Sequence, residues 1–186
     1  MTVGVLALQG AFIEHEKVLN DLGVSCIELR QASDLEKSYD GLVLPGGEST
    51  VQGKLLRDLG MFDTLKKQIT DGMPVLATCA GLILLASEIE NQSSSYFGTI
   101  PMCVRRNAYG RQLGSFHTTA PVQTIGTVPM TFIRAPYVTK VEDGVEVLAA
   151  LEDQIVGVRY KNQLAFAFHP ELDEDTSIHQ AFVNML

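Results

Sequence analysis

A single cysteine, Cys79, stands in the stretch "PVLATCAGLILLASEIE" (Pro74 to Glu90), where an extended apolar run meets one of helical character. A strand that turns sharply into a helix exposes the turn residue at the carboxyl end of a sheet, which is where open α/β sheets bind ligands and where a nucleophile elbow places its nucleophile. Such a turn needs small neighbours, and Ala77, Ala80 and Gly81 supply them. The unpaired N–H groups at the start of the helix favour thiolate over thiol, and the Ala80 N–H is available to a developing oxyanion. Cys26 and Cys103 lie inside strand-like runs without a turn and read as core residues. Three cysteines at wide spacing form neither a disulfide framework nor a Cys-x-x-Cys metal site, so any role for Cys79 is that of a free thiol.

A reactive thiol needs a base, and four histidines are candidates. His15 sits among glutamates on an amphipathic segment and is expected in solvent; His117 falls in a polar strand and His179 in the last helix. His169 ends the apolar run "LAFAF" and precedes Pro170 and Glu171. Proline disfavours the helical region at the residue before it, so His169 is expected to be extended, with Glu171 on the same side to hold the ring. A third piece is "LVLPGGEST", Leu42 to Thr50. Gly46 and Gly47 can present backbone N–H groups to an oxyanion, and Ser49 or Thr50 is expected to cap the helix that follows. A phosphate loop is excluded: five residues rather than four separate Gly47 from Gly53, and Leu55 follows Lys54 where a Ser or Thr would hold magnesium.

The elements that must position these residues alternate. "VGVLAL" reads as a strand buried on both faces, residues 11 to 23 as an amphipathic helix, "VSCIEL" and "YDGLVLPGG" as further strands. Residues 48 to 72 carry two helical segments broken near Leu59-Gly60, "VLATC" is the next strand, and "AGLILLASEIE" a helix packed in the core. After the polar loop "NQSSSYFG" come short strands ("MCVRRN", "GSFHTTAPV", "TFIRAP", "VEVLAAL", "IVGVRY", "LAFAFHP") and a final helix from about Thr176. Strand, helix, strand predicts an α/β fold with a largely parallel central sheet flanked by helices. No repeat or linker divides the chain, so residues 1–186 are expected to form one domain.

Fourteen basic and twenty-two acidic residues give 14 − 22 = −8, without a basic run longer than two, which disfavours nucleic acid and anionic membrane as partners. The N-terminal apolar run is cut at Gln9-Gly10 and lacks a basic n-region, so a cytoplasmic location is expected.

"LPGGEST", "TCAGLI", "RRNAYGRQ", "FIRAP" and "FHPEL", in this order over nearly the full length, resemble the PdxT/SNO family of class I glutamine amidotransferases, the glutaminase subunits of pyridoxal 5′-phosphate synthase. The resemblance implies a Cys-His-Glu triad, here Cys79, His169 and Glu171, that hydrolyses L-glutamine to glutamate and ammonia. It places glutamine binding on Gly47, Glu48, Ser49, Arg106, Ile133 and Arg134, and the oxyanion hole falls on Gly46, Gly47 and Ala80. It implies no metal or organic cofactor, and a separate (β/α)8-barrel synthase subunit as the acceptor of ammonia in a multi-subunit complex. Ala77 stands where the family pattern leads one to expect glycine, and Gly114 and His117 where it more often has acidic residues. Two rivals remain: a cysteine peptidase or deglycase on a DJ-1/PfpI-like scaffold, which would not call for Arg106 and Arg134, and a glutamine-binding subunit without turnover.

Overall fold

Val3, Val5 and Leu6 are fully buried on both sides of the first strand, as the uninterrupted apolar run requires of a strand covered on both faces. The computed structural model describes residues 1–107 and 114–186. The chain opens with β1 (Thr2–Leu6), α1 (Phe12–Asp21), β2 (Ser25–Leu29) and β3 (Gly41–Leu44), followed by α2 (Ser49–Asp58), α3 (Phe62–Thr70), β4 (Val75–Thr78) and α4 (Ala80–Leu85). It continues through β5 (Ala86–Ile89), β6 (Ile100–Arg105), β7 (Ser115–Val122), β8 (Gly126–Ile133), β9 (Tyr137–Val141), β10 (Glu146–Leu151), β11 (Gln154–Tyr160) and β12 (Gln163–Phe166) to α5 (Ser177–Val183). Short 3-10 segments lie at Ala32–Glu36 and Pro170–Leu172.

The main sheet has two characters. Strands run β2-β1-β3-β4-β12 with every pairing parallel, the α/β half expected from the sequence. Beyond β12 come β11, β9 and β6 in antiparallel pairing, with β10 on β11 and β5 parallel to β6 at the edge. A separate hairpin, β7 with β8, packs on this half through Phe132, whose ring lies 5.7 Å from that of Phe168. No helix among the described residues is long and apolar enough to cross a membrane.

The structure corrects several local expectations. The helix expected over 80 to 90 ends at Leu85: Ala86 is extended, and residues 86 to 89 pair with β6, Ser87 Oγ accepting from the Met102 N–H at 3.2 Å. All six residues of α4 are buried, whereas Ser87 and Glu88 bring polar groups. An exposed sheet edge satisfies them better than another buried helical turn. Strand β9 has no counterpart among the runs read from the sequence: Thr139 and Lys140 separate Val138 from Val141 and break the apolar alternation, and pairing with β6 and β11 sets its conformation. The cap of α2 is Glu48, whose Oε2 accepts from Val51 N at 3.1 Å, and Ser49 lies inside the helix. Cys26 and Cys103 are half-buried rather than core, and burial pushes the Cys26 thiol up to about 11.

Candidate active site

Parallel register delivers the site. Along β4 and β12 the partners are Val75 with Gln163 through Thr78 with Phe166, and one more ladder bond runs from Cys79 N to Phe166 O at 2.8 Å. Cys79 and the residues after Phe166 therefore leave the sheet side by side at its carboxyl edge. On the other side β3 pairs Leu44 with Ala77, which brings Pro45 to Gly47 to that edge as well. Ala77 is itself a fully buried strand residue between Leu44 and Ala165, so a methyl group is accommodated where the family pattern suggested none.

Cys79 has φ 49° and ψ −101°, the strained geometry expected of an elbow. For a residue with a Cβ this costs on the order of 1–3 kcal/mol. The residue is only 6% exposed, and Sγ lies 3.9 Å from the Ile133 carbonyl oxygen. His169 is anchored by its N–H to Thr131 O at 2.8 Å and hydrogen-bonds through Nδ1 to Glu171 Oε1 at 2.7 Å, leaving the Nε2 edge of the ring for Cys79. The pairing is as expected, but its origin differs. Glu171 lies in the 3-10 turn Pro170–Leu172 rather than on an extended strand, and the tight turn folds its carboxylate back on the ring.

Burial disfavours a charged His169, yet hydrogen bonds to Cys79 and Glu171, together with their charges, outweigh it and push the ring up to about 10. Burial also works to raise Glu171, but His15 and His169 hold its carboxyl below the usual value. A ring that keeps its proton at neutral pH beside a buried thiol is the resting arrangement of a Cys-His nucleophile pair.

The pair opens on a cavity of about 330 Å³ whose wall includes Gln9, Ile83 and Asn107 together with Gly47, Glu48, Ser49, Arg106, Ile133 and Arg134. All six residues assigned to glutamine binding by resemblance thus line this one cavity. Arg106 Nη2 lies 2.6 Å from Glu48 Oε1, while Ser49 is almost fully buried and its Oγ has no hydrogen-bond partner among the described residues. Arg134 has φ 45° and donates its N–H to Gly114 O. His117 lies on the surface, 3.3 Å from Asp173. Ala108 to Leu113, which include Gly110 and Arg111 of the "RRNAYGRQ" segment, lie outside the described residues.

One oxyanion assignment changes. The Gly46 N–H donates to Thr78 Oγ1 at 3.1 Å and is not turned to the cavity. Gly46 instead makes room: a Cβ there would overlap Cε1 of the His169 ring. Its carbonyl accepts from Ala11 N at 3.1 Å, and Gln9 Oε1 accepts from Glu48 N at 2.8 Å, so Gln9 to Ala11 grips the glycine loop from behind.

The largest miss is His15, which is fully buried, with Nδ1 2.9 Å from His179 Nε2 and Nε2 3.1 Å from Thr78 Oγ1. The spacing Phe12, His15, Leu19, Leu22 would have revealed it, since it puts His15 on the apolar stripe of α1, whereas Ile13 is 63% exposed. Among the described residues no group of three or more His, Cys, Asp or Glu is placed to hold a metal ion.

The model of the SNO glutamine amidotransferase family matches residues 5–186. The chain belongs to that family. This SNO-family member is 61% identical over 186 residues to the pyridoxal 5′-phosphate synthase subunit PdxT of Desulfitobacterium hafniense strain Y51, covering 100% of the chain and 94% of the relative. It is 54% identical over 188 residues to the protein of the same name from Streptococcus pneumoniae strain ATCC 700669, covering 100% of the chain and 97% of the relative. Among solved structures, one titled as a crystal structure of glutamine amidotransferase superposes on this SNO-family fold with a TM-score of 0.93 at 44% identity, covering 98% of the chain and 97% of that one.

Proposed function

We propose that the chain is the glutaminase subunit of a pyridoxal 5′-phosphate synthase: it hydrolyses the side-chain amide of L-glutamine and passes the ammonia to a separate synthase subunit. The observation that carries this reading is the meeting of Cys79 with the His169–Glu171 pair on a cavity walled by Glu48, Arg106 and Arg134. The names of the two relatives supply the synthase as partner.

In this mechanism the Cys79 sulfur attacks the amide carbon, and the N–H groups of Gly47 and Ala80 receive the oxyanion. The carbon–nitrogen bond breaks as His169 gives its proton to the departing nitrogen, leaving a thioester on Cys79 and free ammonia. Water then attacks the thioester, His169 takes the water's proton, and the carbon–sulfur bond breaks to release glutamate. Glu171 holds the ring through both steps.

The opposed charges of Glu48 and Arg106 match the α-ammonium and α-carboxylate of a free amino acid, with Arg134 reinforcing the carboxylate. A residue inside a peptide has neither charge, which sets this wall against the peptidase reading. Docking of the synthase near Gln9 to Ala11 would act on the glycine loop those residues grip, and so on the Gly47 donor.

The deciding experiment measures ammonia release from glutamine, from peptides and from glycated substrates, with and without a PdxT-partner synthase. Release from glutamine alone, rising steeply as synthase is titrated in, is expected. Turnover of peptides or glycated amines in preference to glutamine would overturn the assignment, and glutamine binding without ammonia would leave a non-catalytic subunit.

A further inference from the structure

Behind the His169–Glu171 pair lies a second histidine couple that the reaction as written does not use. His15 on α1 and His179 on α5 are fully buried, their ring centroids 5.1 Å apart. His15 Nε2 hydrogen-bonds Thr78 Oγ1 at 3.1 Å and stands 3.4 Å from Glu171 Oε2, the carboxylate oxygen that His169 leaves over and that has no hydrogen-bond partner among the described residues, so its attraction to His15 is electrostatic. Thr78 Oγ1 in turn accepts the Gly46 N–H. One imidazole thus touches the carboxylate that orients the base and the hydroxyl that fixes the glycine loop.

The network also selects a tautomer. An unprotonated Nε2 would turn a lone pair toward the Glu171 carboxylate, whereas Nε2–H is attracted by it. With Nε2 protonated, His15 Nδ1 accepts from His179 Nε2–H, and His179 Nδ1 remains a bare acceptor without a hydrogen-bond partner among the described residues. The opposite tautomer would leave a buried N–H there without an acceptor, the rarer and costlier defect.

We propose that His15 is a positioning residue for the reaction: its Nε2–H, hydrogen-bonded to Thr78 Oγ1, attracts the Glu171 oxygen that His169 does not use and so links that carboxylate, through Thr78, to the Gly46 loop, with His179 fixing its tautomer. The proposal rests on the glutaminase reading above. The groups facing His15 are Glu171 and His169 from the segment after β12, His179 from α5, and Glu14 on its own helix. Burial outweighs the two carboxylates and keeps the His15 pKa low. A neutral donor suits this place, because a lysine or arginine there would compete with His169 for the Glu171 charge.

Two amides separate positioning from filling space. His15→Gln can return an N–H near the Nε2 position, while the shorter His15→Asn keeps a polar group near Nδ1, toward His179, and loses Glu171. With synthase present, His15→Gln should keep kcat within about threefold of wild type, and His15→Asn should lose about tenfold in kcat with KM changed by less than about twofold, at similar melting temperatures. Wild-type kcat in His15→Asn, or an equal loss in both amides, would overturn the proposal. Nitrogen-15 spectra of the histidine-labelled wild-type chain near pH 7 give an arm that needs neither variant nor substrate: His15 should be the Nε2–H tautomer, and an Nδ1–H tautomer or an imidazolium would overturn it. A wild-type chain that shows this tautomer but releases no ammonia from glutamine with its partner would sink the glutaminase reading and with it the catalytic role of His15.

Discussion

Replacing Glu171 by glutamine keeps the shape of the side chain and removes its charge, so it isolates what the carboxylate does for His169. The ring stands at about 10 rather than 6.5, a preference for the charged form of roughly 5 kcal/mol that Cys79 and Glu171 maintain together against burial. Withdrawing one of these two partners should remove on the order of half of that, roughly 2–3 kcal/mol or about two pH units, so the ring stays mostly protonated near pH 7 and turnover falls by some tens of fold only near pH 10, if the imidazolium is the acid that expels ammonia. The sign in pH follows. A raised pKa keeps His169 protonated through neutral pH up to about 10, so the alkaline limb of wild-type kcat should lie high and should move toward neutral pH in Glu171→Gln. The assay is ammonia release with saturating synthase from pH 6 to 10, with Cys79→Ala as the blank. Turnover within about threefold of wild type at pH 10, with an unmoved alkaline limb, would refute the reasoning and leave Glu171 with a structural role only.

Gly46→Ala should fold but lose at least about 10²-fold in turnover, since the new methyl group must displace the His169 ring from its place; retained activity would show that the loop yields instead. Acid stability gives an independent check. Burial holds His179 down at about 3 against an ordinary 6.5, so the unfolded chain binds the extra proton between these values, and stability present above pH 6.5 is lost as pH falls toward 3. Melting temperatures measured from pH 7 to 4 should therefore fall less steeply in His179→Gln than in wild type, and parallel curves would exclude His179 as a source of the acid sensitivity.

The elbow was legible because three local signals coincide: an apolar strand, small residues around Cys79, and an apolar segment after it. His169 and Glu171 were legible as a pair because they are two residues apart, even though a 3-10 turn and not a strand joins them. What escaped is long-range. His15 interacts with residues 63 and 164 positions away, and a histidine flanked by glutamates looks solvated until the stripe to which it belongs is counted. The destination of the Gly46 N–H was equally hidden, because its acceptor is a threonine on a neighbouring strand. Strand β5 looks like the end of a helix in the sequence because the edge partner that its polar groups Ser87 and Glu88 meet is not visible locally.

The place of β12 in the sheet has a consequence for how the molecule comes into being. It lies between β4 and β11, and the ladder with β4 joins positions roughly ninety residues apart in sequence. On a ribosome, β1 to β4 and the thiol at the end of β4 emerge long before β12 does. Cys79 must then wait without His169, Glu171 or His179 while the antiparallel half is made. Closing so long a loop is slow and comes late. A nascent or interrupted chain therefore carries a sulfhydryl without the ring that makes it attack, and amide-cleaving chemistry begins only when a strand from the last quarter of the sequence slots in beside one from the first half.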